Sequence, residues 1–266
     1  MVQYDAISTL ITFNFYHKKV NAMEQSRKRF LKNFLIGASS VPLIMEACKK
    51  DAVSTADTTT TTGTSSGSCT VMPTETAGPF PTITPSSLVR SDIRLDRTGV
   101  AFTISITVKN KNNSCAALSG AIVDIWHCDK DGYYSEYGGS GMQTVNYTTV
   151  HFLRGRQTTD ANGLVSFTSI FPGWYSGRAT HVHVHIYNSA GTSLLITQIA
   201  FPEGSSSAVV TVNASTANGY TKGMTGYTYN ASDNVFSDDT AGVETGAVSG
   251  SMAAGYVLAQ TINVSA

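Results

Sequence analysis

The stretch Arg178-Ala179-Thr180-His181-Val182-His183-Val184-His185 concentrates more chemistry than any other part of the chain. On extended backbone, residues two apart share a face. The three histidines therefore align on one side, while Val182 and Val184 turn to the other, toward a core. Two imidazoles at i and i+2 form half of a metal site, and the remaining ligands decide which metal. No Asp or Glu lies near this strand in sequence and no CxxC is present, so a zinc hydrolase built on His181, His183 and His185 has little support. Tyrosines stand upstream instead, in Asp131-Gly132-Tyr133-Tyr134-Ser135 and Pro172-Gly173-Trp174-Tyr175. Phenolate is a hard, anionic ligand suited to ferric iron, and a bound trivalent ion lowers a phenol's pKa enough to ionise it. The competing reading of any one of these tyrosines is a ring packed on the rim of a β-sandwich.

Strands must position such groups. From residue 100 on, short alternating or apolar runs are broken by turn residues about every dozen positions, the pattern of an all-β sandwich or barrel. The predicted strands are 102–109, 121–127, 151–158, 164–170, 181–188, 193–201 and 255–264. Asp160-Ala161-Asn162-Gly163 predicts a hairpin turn, with Gly163 free to take positive φ. The expected fold is all-β: two mainly antiparallel sheets with long active-site loops.

Eighteen basic and eighteen acidic residues cancel, and only 14% of the chain is charged. Without a basic stripe, nucleic acid is not an expected partner. No apolar run reaches the length of about 18 residues that spans a bilayer. Four cysteines, Cys48, Cys69, Cys115 and Cys128, are too scattered for a disulfide scaffold. Cys115 and Cys128 flank one predicted strand and lie too far apart to bond, so any bridge of either needs Cys69. Residues 26–47 join a basic head to a short apolar stretch, the layout of an export signal. Ser26 to Lys32 resembles a twin-arginine signal with Lys28 in place of the second arginine, and Ala47-Cys48 resembles a bacterial lipoprotein cleavage site. Residues 1–22 read as an over-extended N-terminus and 23–48 as an export or lipoprotein signal. Residues 49–68 are a Ser/Thr/Gly linker and 69–266 the folded domain. The expectation is an exported protein of the bacterial envelope or exterior, touching the membrane only through a lipid on Cys48. A homodimer is compatible with the sequence and not required by it.

Several motifs recur in a familiar order: Pro73-Thr74-Glu75-Thr76-Ala77-Gly78-Pro79-Phe80, Val123-Asp124-Ile125-Trp126-His127, Gly132-Tyr133-Tyr134-Ser135, Phe152-Leu153-Arg154-Gly155, Thr159-Asp160, Phe171-Pro172-Gly173-Trp174-Tyr175, Arg178 to His183, and Thr197-Gln198. Together they resemble the intradiol ring-cleavage dioxygenases, which include protocatechuate 3,4-dioxygenase and catechol 1,2-dioxygenase. The likeness is greatest to a secreted, single-domain branch. The resemblance implies a non-haem Fe(3+) ion held by Tyr134, Tyr175, His181 and His183, a small aromatic diol and O2 as substrates, and a cis,cis-muconate-type diacid as product. It implies that Tyr175 is the ligand released to take a substrate proton, and that Arg178 and Gln198 stabilise charge on the substrate. Tyr134 rather than Tyr133 matches the ligand, being second after Gly and just before Ser. His185 has no counterpart role, and Thr180 replaces a common Pro. The helical dimerisation domain of catechol 1,2-dioxygenases is absent, so their pairing is not implied. The alternative function is a non-catalytic β-sandwich binding module of the cell envelope.

Overall fold

Alternation dictates the strands. A computed structural model describes residues 69–266; the expected N-terminal extension, export signal with Cys48, and linker (1–68) lie outside the described residues. The strands are β1 (Ala101–Asn110), β2 (Ala116–Ala117), β3 (Ile122–Trp126), β4 (Arg154–Thr158), β5 (Leu164–Ile170), β6 (His181–Tyr187), β7 (Ser193–Ala200), β8 (Ala247–Ser251) and β9 (Gly255–Val264). A short helix, α1 (Ala208–Asn213), capped by the Ser207 side chain, was not expected from the sequence. β1 buries Phe102, Ile104, Ile106 and Val108 at every second position, each worth about 1.5–3 kcal/mol of apolar burial.

Two sheets result. One has the order β2-β1-β9-β8 with β5 also on β1; the other runs β4-β3-β6-β7. Pairing is antiparallel except between β1 and β9, which lie parallel with Phe102 beside Tyr256. Ile104, Phe167, Leu258 and Ile262 of the first sheet and Val123, Ile125, Val182, Val184 and Ile199 of the second belong to one core. The expected all-β sandwich is the observed architecture. Among the described residues, no helix is long and apolar enough to cross a membrane.

The Asp160–Gly163 turn forms as expected: Gly163 has φ 73°, and Asp160 Oδ1 accepts from Asn162 N and Leu164 N. It is a corner, however, not a hairpin, because β4 stays on β3 while β5 crosses to β1. The long register of β5 with β1, from Ala101↔Ile170 to Thr107↔Leu164, decides the partner; the turn only reverses the chain. Residues 151–153, expected in a strand, precede β4 outside the ladder. Cys69 is bonded to Cys115, one of the two pairings through Cys69 that the sequence left open, and Cys128 is buried and free. Closing a loop with 46 residues of separation restricts the unfolded chain by about 4 kcal/mol in the chain-entropy account.

Candidate active site

Register builds the site. Across the outer face of the second sheet, Arg154 lies opposite Trp126, Trp126 opposite His183, and His183 opposite Gln198. Residues directly opposite share a face, so one row carries four polar or aromatic side chains away from the core. All four are nonetheless buried, because loops cover this face. The His183 ring stacks on Trp126 at 4.9 Å and 2°. Two residues along, His185 falls in another row, with Asp124 opposite; Asp124 is held by Arg156 at 2.5 and 2.6 Å. His185 itself stacks on Tyr187 and bonds Ser193 Oγ at 2.8 Å. The three histidines share one face, but only His181 and His183 meet. Among the described residues, no three of His, Cys, Asp and Glu gather into a metal site.

The tyrosines come from loops. After β3, the Asp129 carboxylate accepts from Asp131 N and Tyr133 N, tightening the turn. Gln143 then clamps the next residue like a neighbouring strand: Tyr134 N donates to its Oε1 at 2.7 Å and its Nε2 donates to Tyr134 O at 2.8 Å. Arg154 donates to Ser135 O and Phe80 O, and the Phe80 ring stacks on Tyr134 at 4.8 Å. Tyr134 is fully buried, its Oη 3.2 Å from His181 Nε2, which is 3.1 Å from His183 Nε2. Tyr133 instead faces a cleft of about 490 Å³. Tyr175 is half-buried, lines the same cleft, and lies edge-on to Tyr134 and His181, at 5.8 and 5.6 Å between rings.

The four expected ligands thus converge, Tyr134 and the histidines buried and Tyr175 on the wall of the cleft. The groups expected to act on substrate stand beside them. Arg178 Nη2 donates to Gln198 Oε1 at 2.7 Å and Nη1 to Tyr175 Oη at 3.4 Å. The residue that sequence reasoning missed is Asp233. Fully buried, it accepts Arg178 Nε at 2.9 and 3.1 Å, Ala179 N at 2.6 Å and Val235 N at 2.8 Å. No motif surrounds it, and only the long-range contact identifies it. Gln143 was missed for the same reason.

Burial drives the titration of these groups. It holds His181 down at about 3, with Arg178 adding to the effect. His183 is held far below its ordinary value by burial and then by His181. Both imidazoles are therefore neutral, and His181 Nδ1 donates to Ala179 O at 2.6 Å, which leaves Nε2 with its lone pair. Burial pushes the Tyr134 phenol well up and the Tyr175 phenol up against the pull of Arg178. Only a strong cation at this spot would ionise them. His183 Nδ1 is buried without a partner. Two neutral imidazoles and two phenols form a nitrogen–oxygen donor set that fits a ferric ion.

Gly78 explains the first motif. It has φ +70°, and a Cβ there would fall 2.9 Å from His183 Cε1, so the segment before Phe80 packs its backbone directly on the imidazole. Gly78→Ala is expected to lower stability by about 1–2 kcal/mol from left-handed backbone alone and to weaken metal retention by tilting His183. Thermal melting and iron content check this, and unchanged values of both would remove Gly78 from its supporting role.

Comparison with known proteins agrees with this geometry. The dioxygenase family model matches residues 82–225. A chlorocatechol 1,2-dioxygenase of Rhodococcus opacus is 29% identical over 143 residues, which is 46% of this chain and 51% of that protein. The match thus spans about half the length of this curated relative. An intradiol ring-cleavage dioxygenase from Tetranychus urticae superposes with TM-score 0.64 at 26% identity, over 74% of this chain and 95% of that one. The dioxygenase domain of a carbohydrate-binding fusion protein from Streptomyces sp. SirexAA-E does so with TM-score 0.52 at 25% identity, over 73% and 97%. A family built around a reactive centre, rather than a bare binding module, accounts for the buried tyrosines and histidines, and this chain belongs to the intradiol ring-cleavage dioxygenases.

Proposed function

We propose that this protein uses Fe(III), held by Tyr134, Tyr175, His181 and His183, to open a catechol ring between its two hydroxylated carbons with O2, giving a cis,cis-muconate-type diacid. The observation that carries this reading is the buried run Tyr134 Oη, His181 Nε2, His183 Nε2, at 3.2 and 3.1 Å, with the Tyr175 ring packed edge-on to it from the cleft. Bound there, Fe(III) supplies the Lewis acidity and redox partnership that let a catecholate react with dioxygen.

The chain's own residues do the rest. Tyr175, held as phenolate when the ferric ion is bound, takes a substrate proton at Oη on release and becomes a neutral phenol on the cleft side. Arg178 commits Nε to Asp233, one Nη2 proton to Gln198 and one Nη1 proton to Tyr175. Of its five N–H donors two remain for charge gathering on the ring, fixed in advance by Asp233. Gln198 is itself anchored, its Nε2 donating to Thr76 O at 2.9 Å. Phe80 lines the cleft and stacks on Tyr134, which keeps water from the buried ring.

Residues 69–266 form the catalytic domain in this reading, carried out of the cytoplasm by the signal at 23–48. The Cys69–Cys115 bond supports that location, since such bridges persist in oxidising compartments. The test is the purified full chain. About one iron per chain, a broad visible band from phenolate-to-iron charge transfer, and a ring-opened diacid from catechol under O2 are expected. A colourless protein that stays inert after anaerobic iron loading and reoxidation overturns the proposal.

A further inference from the structure

We infer that the cleft beside Tyr175 selects catechols that carry a carboxylate on a side chain, and that Lys222 is the residue that receives it. This deepens the ring-cleaving reading above and rests on it for the placement of the ring.

The cleft is about 490 Å³, within the range of roughly 300–1,000 Å³ that encloses ligands of drug size and more than one dihydroxybenzene ring needs. Phe80 and Tyr175 give it aromatic wall; Asp131, Ser176, Thr221 and Lys222 give it polar wall. The two charges there are not equivalent. Asp131 is paired, its Oδ2 2.8 Å from Lys130 Nζ. Lys222 forms no ion pair among the described residues. Asp131 and Asp129 act on Lys222 only from beyond ion-pair distance, so the cleft presents one ammonium with no carboxylate in contact.

That charge is also held in place. Lys222 Nζ donates to Trp174 O at 2.7 Å and lies 4.0 Å from the centre of the Trp174 ring. An ammonium has three N–H bonds, so two stay uncommitted. Gly132, at φ +92°, makes room: a Cβ there would come within 3.3 Å of Lys222 Nζ and 2.3 Å of Trp174 O. The ammonium thus sits where the two tyrosine-bearing loops meet, anchored to the residue preceding Tyr175 and facing the glycine two before Tyr134. A ring beside Tyr175 brings a short anionic side chain within reach of it.

The test compares 3,4-dihydroxyphenylacetate with its methyl ester and with the corresponding ethylamine, on the full iron-loaded chain and on Lys222→Met and Lys222→Arg. The acid is expected to exceed the ester in kcat/KM by about tenfold, the effect of one charge-assisted hydrogen bond at a part-exposed site, with the difference in KM. Lys222→Met, which keeps an unbranched side chain without the charge, is expected to bring the ratio near one, and Lys222→Arg to restore most of it. Equal rates for acid and ester, preference for the amine through Asp131, or a ratio that survives Lys222→Met overturns the inference. If no catechol is consumed, the ring-cleaving reading falls, and anaerobic isothermal titration still reads acid against ester as Kd values. Equal Kd values then overturn the carboxylate anchor as well.

Discussion

Tyr134→Phe is expected to leave a folded protein that has lost its iron or its colour, and His183→Ala to do the same. Among the described residues the Tyr134 hydroxyl has one hydrogen-bond partner, His181 Nε2 at 3.2 Å, so its removal costs on the order of 1 kcal/mol of folding, within what a domain of this size tolerates. A large fall in iron content with an unchanged melting profile then reports a ligand, not a structural bond. Tyr133→Phe and His185→Ala are the controls. Tyr133 faces the cleft, and His185 is occupied by Ser193 and Tyr187; each variant is expected to keep most of its iron. Atomic emission and visible absorption on all four variants decide it. If Tyr133→Phe bleaches the protein and Tyr134→Phe does not, the ligand assignment is wrong by one residue.

Arg178→Gln is expected to lower kcat by two to three decades, as loss of one preorganised donor costs about 2.7–4 kcal/mol of barrier. From the sequence, this variant is expected to keep the iron and the resting colour, since it removes no ligand. The structure adds a second effect. Arg178 is the ion partner of Asp233, a carboxylate with no exposure, and stripping one member of a buried pair costs about 3–5 kcal/mol. Arg178→Gln therefore lowers the melting temperature as well, and activity alone does not separate the two effects. The double variant Arg178→Gln/Asp233→Asn does. It removes the unpaired buried charge but leaves Ala179 N or Val235 N without its acceptor, so part of the stability is expected back while kcat stays low. Recovery of turnover together with stability would show that Arg178 acts only as a brace.

Strands β1, β5 and β9 are legible in the sequence because one face of each meets the core, so apolar residues alternate. β8 is not: Ala247-Val248-Ser249-Gly250-Ser251 is mostly exposed and exists because β9 offers an edge. The corner at Asp160–Gly163 teaches the same point from the other side. Turn chemistry is local and was legible, while the choice of sheet came from a ladder of distant partners. The site divides likewise. His181 and His183 are placed by strand periodicity, and Tyr134, Tyr175, Arg178 and Gln198 by motif order. Asp233 and Gln143, which hold those groups in position, lie in irregular loops and reach them only through tertiary contact.

The parallel pairing of β1 with β9 sets an order of assembly. The sheet that carries His181, His183 and Gln198 has all its strands once Ala200 has left the ribosome, yet β1 keeps one open edge until Gly255–Val264 arrives to lie between it and β8. A ladder between segments so distant closes slowly, and an unpaired strand edge invites association with another chain while it waits. Production at low temperature, which slows synthesis and weakens apolar aggregation, is therefore the condition under which this domain is best recovered intact.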